Sequence, residues 1–327
     1  MLLVCYGTRP EWIKVKPIID VIECKTLFTG QHKHLISHEC DISLKIESES
    51  ANRLNSIFSS VMRQEDIFSG IDQVLVQGDT ASAAAIALSA FHQKVKIIHL
   101  EAGLRTYNLE NPYPEEAYRQ IISRIANVHL CPTKYNKQCL EDEKVNGEIH
   151  VVGNTVLDNL VNLPISYNQE VLVTMHRREN HPLIKEWFKE ISKLAIDNPD
   201  LVFTLPIHPN PNVQKHKKLL KNVNVVNPIP YEEMKRRVAS CRFLISDSGG
   251  LQEEASFLKK KIIVCRKTTE RIESMGESSF ICDNPKKLED LFNTIKKQYI
   301  IKDGYKCPYG DGKATQKIQK VLRMINE

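Results

Sequence analysis

Short runs of β-branched and apolar residues alternate with helical stretches along the whole chain. That alternation is the signature of parallel α/β sheets, because parallel neighbours need a crossover and the crossover is usually a helix. In the first half the strands read as Leu2–Tyr6, Leu27–Thr29, Val74–Gln77, Lys96–His99, Val128–Leu130 and Ile149–Val152. Helices are expected near Glu11–Ile22, Ala51–Gln64, Ala81–Gln93, Glu115–Ala126 and Lys134–Glu143. The pattern lapses over Leu163-Pro-Ile-Ser-Tyr-Asn168, a linker, and then resumes. Strands follow at Glu170–Thr174, Leu201–Leu205, Asn222–Val226, Phe243–Ser246 and Lys261–Cys265, with helices at Leu183–Ile196, Tyr231–Ala239 and Leu251–Leu258. With 327 residues there is chain enough for two domains. The expected class is α/β with two Rossmann-like domains: residues 1–162 and residues 168–311. The last helix, Gly312–Ile325, is expected to pack back on the first domain, which then also takes in residues 312–327.

Composition narrows the function classes. The chain is 42% hydrophobic and 26% charged, within the globular range. Its apolar runs fall short of the roughly 18 residues that span a bilayer. Met1-Leu-Leu-Val-Cys5 lacks a basic leader and runs into Gly7-Thr8-Arg9-Pro10, so it reads as a first strand. Nine scattered cysteines, with no CxxC, argue against a disulfide framework or a zinc site and suit a reducing cytosol. A cytoplasmic protein without a membrane partner is expected. Net charge is +5, and the lysine clusters at Lys215–Lys221, Lys259–Lys261 and Lys296–Lys302 read as solvated faces, not a nucleic-acid surface.

In sheets of this kind, ligands bind beyond the carboxyl ends of the strands, so the loops after strands carry the chemistry. Asp247-Ser-Gly-Gly-Leu-Gln-Glu-Glu254 follows an apolar strand and opens a helix. Ser248, Gly249 and Gly250 there fit either an ordinary N-cap with a tight turn or bare N–H groups presented to a phosphate. Glu254, one turn on, is placed to accept from a ribose hydroxyl. Arg9, at the tip of the first strand, suits forked contact with a diphosphate, or is a surface arginine in a turn. Asp79 is either the cap of the alanine-rich helix or a catalytic group. Asp79, Glu101 and Glu115 come from three successive loops expected to converge, where mutual repulsion lets one carboxyl act as acid while another acts as base. His176 lies beside Arg177 and Arg178, a pairing that calls for an anion opposite. His208 heads another strand-end loop, where a histidine is commonly structural. Gln31-His-Lys-His34 with His38 resembles a metal cluster, but no flanking cysteine or carboxylate completes it, and no metal is expected.

Taken together, Gly7-Thr-Arg-Pro-Glu11, Gly78-Asp-Thr80, Glu101-Ala-Gly-Leu-Arg-Thr106, Pro114-Glu-Glu116, Gly153-Asn-Thr155, His176-Arg-Arg-Glu-Asn180, His208-Pro-Asn-Pro-Asn212, Asp247 to Glu254 and Thr268-Thr-Glu-Arg271 resemble the non-hydrolysing UDP-N-acetylglucosamine 2-epimerases. Nine motifs in the family's order, over nearly the whole chain, carry that resemblance. It implies a GT-B arrangement with the active site in the interdomain cleft, a homodimer, and interconversion of UDP-GlcNAc and UDP-ManNAc with no cofactor, neither NAD nor metal. It also implies that Ser248, Gly249 and Gly250 hold the diphosphate and Glu254 the ribose. Arg9 and His176 contact the phosphates, Lys14 lies close to the nucleotide, and Asp79, Glu101 and Glu115 carry proton chemistry. The implied route is elimination of UDP to 2-acetamidoglucal followed by re-addition.

Departures from the family pattern leave related readings open. The chain is shorter than usual between Lys14 and Asp79. Gln31, Arg177 and His208 match residues that bind a second, activating UDP-GlcNAc, but His34 stands where a further glutamine is expected. Relatives act on other UDP-2-acetamido sugars, such as deoxy-L-hexoses or diacetamido uronic acids. A hydrolysing epimerase and a GT-B glycosyltransferase are the remaining alternatives.

Overall fold

A computed structural model describes residues 1–32, 39–46, 52–64 and 66–326. Two compact units emerge: Met1–Asn159 with Gly310–Glu327, and Leu160–Tyr309. Both are parallel α/β sheets of the Rossmann type, the class expected from the alternating pattern. Among the described residues no helix is long and apolar enough to cross a membrane.

In the first unit the strands are β1 (Leu2–Tyr6), β2 (Lys25–Phe28), β3 (Ile42–Ser43), β4 (Gln73–Gln77), β5 (Lys96–Leu100), β6 (Val128–Cys131) and β7 (Glu148–Val151). They lie side by side as β3-β2-β1-β4-β5-β6-β7, all parallel. The helices are α1 (Arg9–Ile19), α2 (Arg53–Met62), α3 (Ala81–His92), α4 (Glu115–Ile125) and α5 (Lys134–Asp142). β1 is buried at every position and β4 likewise, as a sheet covered on both faces demands. One face packs Leu3, Val74, Val76 and Ile97 against the alanines of α3. Small side chains there let the helix lie close to the strands.

The second unit comprises β8 (Glu170–Thr174), β9 (Val202–Pro206), β10 (Val223–Val226), β11 (Phe243–Ser246), β12 (Ile262–Val264) and β13 (Ser279–Ile281), ordered β10-β9-β8-β11-β12-β13. Its helices are α6 (Ile184–Asp197), α7 (Pro211–Gln214), α8 (Tyr231–Ser240), α9 (Gly249–Phe257) and α10 (Leu288–Lys297). Trp187, Phe188, Phe203, Phe243 and Phe292 fill its core. The final helix, α11 (Ala314–Met324), belongs to the first unit. Ile318, Val321 and Leu322 pack with Val15 and Ile18 of α1 over Val4 and Leu130. Asp158 accepts from Ala314 N at 3.0 Å and Thr315 N at 2.7 Å, so a distant carboxylate supplies the cap its own first turn lacks.

Strand order fixes where a ligand can sit. In each sheet the chain winds outward from the middle in both directions, so two neighbouring strands send their crossovers to opposite faces and leave a crevice at their carboxyl ends. In the first unit that point lies between β1 and β4, and in the second between β8 and β11.

Candidate active site

The loops leaving the two switch points hold most of the residues singled out by motif. After β1, Thr8 caps α1 and Pro10 lies in its first turn, with Arg9 as the first helical residue. Glu11 turns back beneath this loop: its carboxylate accepts from Gly7 N at 3.0 Å and from Thr80 Oγ1 at 2.7 Å. It thereby ties the loop after β1 to the loop after β4. Burial pushes its carboxyl up to about 7, against hydrogen bonds from Thr80, Thr8 and Gly7 that favour the ionised form.

That shift has a sign. The folded state holds the proton more tightly than the unfolded chain, so the contribution of Glu11 to stability is full below about pH 4.5 and is lost as pH rises through about 7. Between those limits the loss amounts to roughly 3 kcal/mol. Glu11→Gln keeps the shape and flattens the dependence. Urea unfolding of both proteins at pH 5 and pH 8 is expected to show a larger drop for the unsubstituted chain, and equal drops would refute the assignment.

After β4, Gly78 takes a φ of 71°, a left-handed turn that glycine adopts without penalty. Its carbonyl accepts from His99 Nε2 at 2.8 Å. Burial drives the His99 ring down to about 3, so the ring is neutral and that nitrogen carries the proton. Asp79 does not cap α3. Thr80 does so, accepting from Ala83 N at 3.0 Å. The Asp79 side chain instead meets Arg119, whose Nε and Nη2 reach Asp79 Oδ2 at 2.8 and 2.7 Å.

β5 lies beside β4 with Leu100 opposite Gln77, which brings Glu101 next to the Asp79 loop. Glu101 has a φ of 64°, unusual for a residue with a side chain, and such conformations cost on the order of 1–3 kcal/mol unless their surroundings enforce them. Its carboxylate is buried and receives both Lys14 Nζ and Gln77 Nε2 on Oε2. Glu115, half-buried, opens α4. Its neighbour Glu116 is fully buried and accepts from Thr106 N at 2.9 Å, Tyr107 N at 3.1 Å, Gln120 Nε2 at 3.0 Å and Arg119 Nη1 at 3.2 Å. Arg105 is structural: it binds Glu143, Ser123 Oγ and the Leu104 carbonyl.

In the second unit the anion that His176 calls for is Asp247, fully buried at the end of β11. Its oxygens accept from His176 N at 2.9 Å, Arg177 N at 2.8 Å and Asn180 Nδ2 at 3.1 Å, with His176 Nδ1 at 3.2 Å. Burial raises this carboxyl, but the His176 ring, the Arg177 N–H and the Asn180 amide outweigh it and hold it below the usual carboxylate range. The rings of His176 and His208 stack, 5.5 Å apart and inclined by 18°. Burial, with His176 alongside, lowers the His208 ring from its ordinary value, and its Nδ1 accepts from Asn210 N at 3.2 Å.

Ser248 precedes α9 but makes no side-chain cap, so the first-turn N–H groups of that helix are not covered by it. Of the two readings of this stretch, the ordinary N-cap is the one the geometry does not support. A Cβ on Gly249 would lie 2.6 Å from Arg271 Nη1 and 3.6 Å from Arg177 Nη2, so two guanidinium groups crowd the glycine. Arg271 is held by Glu253 (Nε to Oε1, 2.5 Å) and by Glu270, which also binds Arg266 at 3.2 Å; Arg266 in turn binds Glu179 at 2.7 Å. Glu254 is buried within α9.

The structure thus joins Lys14 to Glu101, sets Asp79 on the neighbouring strand end, and gathers His176, Arg177 and His208 around Asp247. Gln31, in the first unit, accepts from Ser82 N and Oγ at 3.2 and 2.7 Å, while Arg177 and His208 belong to the second. His34 and His38 lie outside the described residues. Among those described, no group of three or more His, Cys, Asp or Glu side chains is placed to hold a metal. No role was read from the sequence for Arg119 or Gln77, nor for Glu116 and Asp247, which stand within the motifs. Arg119 follows Glu115 by four on one helix, a spacing that reads as a surface pair, whereas its partner lies 40 residues away.

Comparison with known proteins places this architecture. The sequence pattern of the UDP-N-acetylglucosamine 2-epimerase family matches residues 19–323. A UDP-N-acetylglucosamine 2-epimerase of Campylobacter jejuni is 36% identical, the alignment covering 98% of this chain and 97% of that one. The crystal structure of UDP-GlcNAc 2-epimerase from Neisseria meningitidis bound to UDP-GlcNAc superposes with a TM-score of 0.88 at 32% identity, over 99% of each chain. The enzyme from Methanocaldococcus jannaschii, in complex with UDP-GlcNAc and UDP, gives 0.81 at 28% identity over 99% of each. Sequence and architecture agree from end to end, and the chain belongs to the UDP-N-acetylglucosamine 2-epimerase family.

Proposed function

We propose that the protein interconverts UDP-N-acetylglucosamine and UDP-N-acetylmannosamine without hydrolysis, by eliminating UDP and adding it back. The observation that carries this reading is the pair Asp79 and Glu101, two carboxylates at the carboxyl ends of neighbouring strands, one held by Arg119 and the other by Lys14. The proton on C2 of the sugar has no adjacent carbonyl to acidify it. Its removal therefore has to accompany departure of the leaving group. A base takes the C2 proton, the C–H electron pair becomes the C1–C2 double bond, and the C1–O pair leaves on UDP. The product pair is 2-acetamidoglucal and UDP. Return of a proton to C2 on the opposite face and of the UDP oxygen to C1 gives the other epimer.

Each half of this cycle needs an acid or base at C2 and stabilisation of charge on the diphosphate. Asp79, Glu101 and Glu115 supply the first, each such group contributing about 10²–10⁴-fold. The first-turn N–H groups of α9 at Gly249 and Gly250 and the Ser248 hydroxyl supply the second, with Arg9 and His176, by meeting charge as it develops on the phosphate; the Ser248 N–H itself is donated to Ser246 Oγ at 2.9 Å. Glu254 accepts from the ribose. Relatives crystallised with UDP-GlcNAc and with UDP support that substrate class.

Incubation with UDP-GlcNAc in D₂O, followed by NMR, tests the reading. Deuterium at C2 in a mixture of both nucleotide sugars is expected. Free N-acetylmannosamine would establish the hydrolysing reaction instead, and an inert mixture that turns over a deoxy-hexose or uronic acid analogue would move the substrate within the same mechanism. Glu254→Ala is expected to weaken UDP binding by about ten- to a hundredfold, the worth of a hydrogen bond to a charged acceptor. Calorimetric titration showing unchanged affinity would remove Glu254 from the ribose site.

A further inference from the structure

We propose that Arg119 is a positioning residue for the reaction, acting through Asp79. The inference rests on Asp79 being catalytic, and it assigns a role to a side chain outside the motif residues given one above. Arg119 is almost wholly buried, whereas the Asp79 side chain is 27% exposed. Both contacts from the guanidinium, through Nε and Nη2, fall on the single oxygen Oδ2. Oδ1 accepts no hydrogen bond among the described residues, so one oxygen is anchored and the other is left for a proton. The third guanidinium nitrogen, Nη1, binds Glu116, whose carboxylate also receives the N–H groups of Thr106 and Tyr107. Through this one planar group, the angle of the Asp79 carboxylate is fixed relative to α4 and to the loop that begins at Glu101.

The backbone beneath Asp79 is fixed independently. Gly78 N donates to Leu100 O at 2.9 Å, and the Gly78 carbonyl accepts from neutral His99. Arg119 is therefore not needed to hold the turn itself. Its two nitrogens on Oδ2 act on the side-chain torsions that the turn leaves open. An ammonium group has no fork with which to grip Asp79 and Glu116 together, so lysine is not an equivalent substitute.

The test is a double-mutant cycle on turnover. Arg119→Lys and Arg119→Gln are expected to lower kcat by about ten- to a hundredfold, the usual cost of a displaced catalytic group, while KM for UDP-GlcNAc and the affinity for UDP stay within about twofold. Introduced into Asp79→Asn, either change is expected to cost less than about twofold further, because residues acting as a unit do not add. A full additional loss in the Asp79→Asn background, or unchanged kcat in the unsubstituted one, would overturn the assignment. Should Arg119→Gln not fold, the cycle is read with Arg119→Lys, which keeps the buried charge. Near-normal turnover of Asp79→Asn alone would instead overturn the catalytic reading on which this inference stands, so the two failures are told apart.

Discussion

Asp79→Asn, Glu101→Gln and Glu115→Gln each lower turnover at least about a hundredfold while UDP still binds. The expectation is sharpest for Glu101. Its oxygen Oε2 receives Lys14 and Gln77 together, so a neutral amide there leaves a mostly buried ammonium without its counter-charge. Turnover and stability are therefore both expected to fall for this variant, and circular dichroism separates them. The Asp79 side chain is 27% exposed, and its buried partner Arg119 keeps Glu116 as counter-charge when Asp79 is neutralised, so Asp79→Asn is expected to fold normally and to fail in catalysis alone. The diphosphate contacts proposed for the second unit are untouched by all three changes. UDP affinity measured by calorimetry is expected to remain within a few-fold, and near-normal turnover in all three variants would discard the carboxylate assignment.

Asp247→Ala is expected to have the largest effect on stability. The carboxylate lies at full burial between the ends of β8 and β11, where it satisfies two backbone N–H groups and the Asn180 amide. Its removal strands those donors, and losing one partner of a buried charged network costs about 3–5 kcal/mol. For a unit of this size, that corresponds to a thermal midpoint lower by roughly 10 °C. UDP affinity is expected to fall as well, since His176 and Arg177 are presented by the same loop. Asp247→Asn keeps the volume and one acceptor, and an intermediate loss is expected. The pH dependence follows from the lowered carboxyl: its stabilisation is present above the ordinary carboxylate range and disappears as pH falls through the depressed value. A melting curve of Asp247→Ala matching that of the unsubstituted chain would show that the loop is held by something else.

Much of this architecture was legible in the sequence because it depends on local pattern. The buried strands β1, β8 and β11 begin and end where their apolar runs do, and the glycine-rich turns mark the loops after them. β3 was missed because two residues carry no periodicity. β13, at three residues, is too short to carry a periodic signal, whereas α10 shows helical spacing in Leu288, Leu291, Phe292 and Ile295 and is legible, although it is not among the expected helices. Around the candidate site, residue type and position after a strand single out Asp79, Glu101 and His176 as candidates, but not what holds them. Arg119, Gln77 and Asp247 act across strand neighbours or from a helix 40 residues on, and such partners follow from sheet order, not from spacing. The cap of α3 shows the same limit at short range. Asp79 and Thr80 are both good capping residues; α3 starts at Ala81, so Thr80 holds the cap position while Asp79 binds Arg119.

The placement of α11 also governs the order in which the molecule can be finished on the ribosome. The second unit is an insertion, entered after Asn159 and left after Tyr309, so it is synthesised whole before the first unit receives Ile318, Val321 and Leu322. Until then the α1 face of the nascent seven-stranded sheet lacks part of its cover, and the second unit can reach its native state while the first waits.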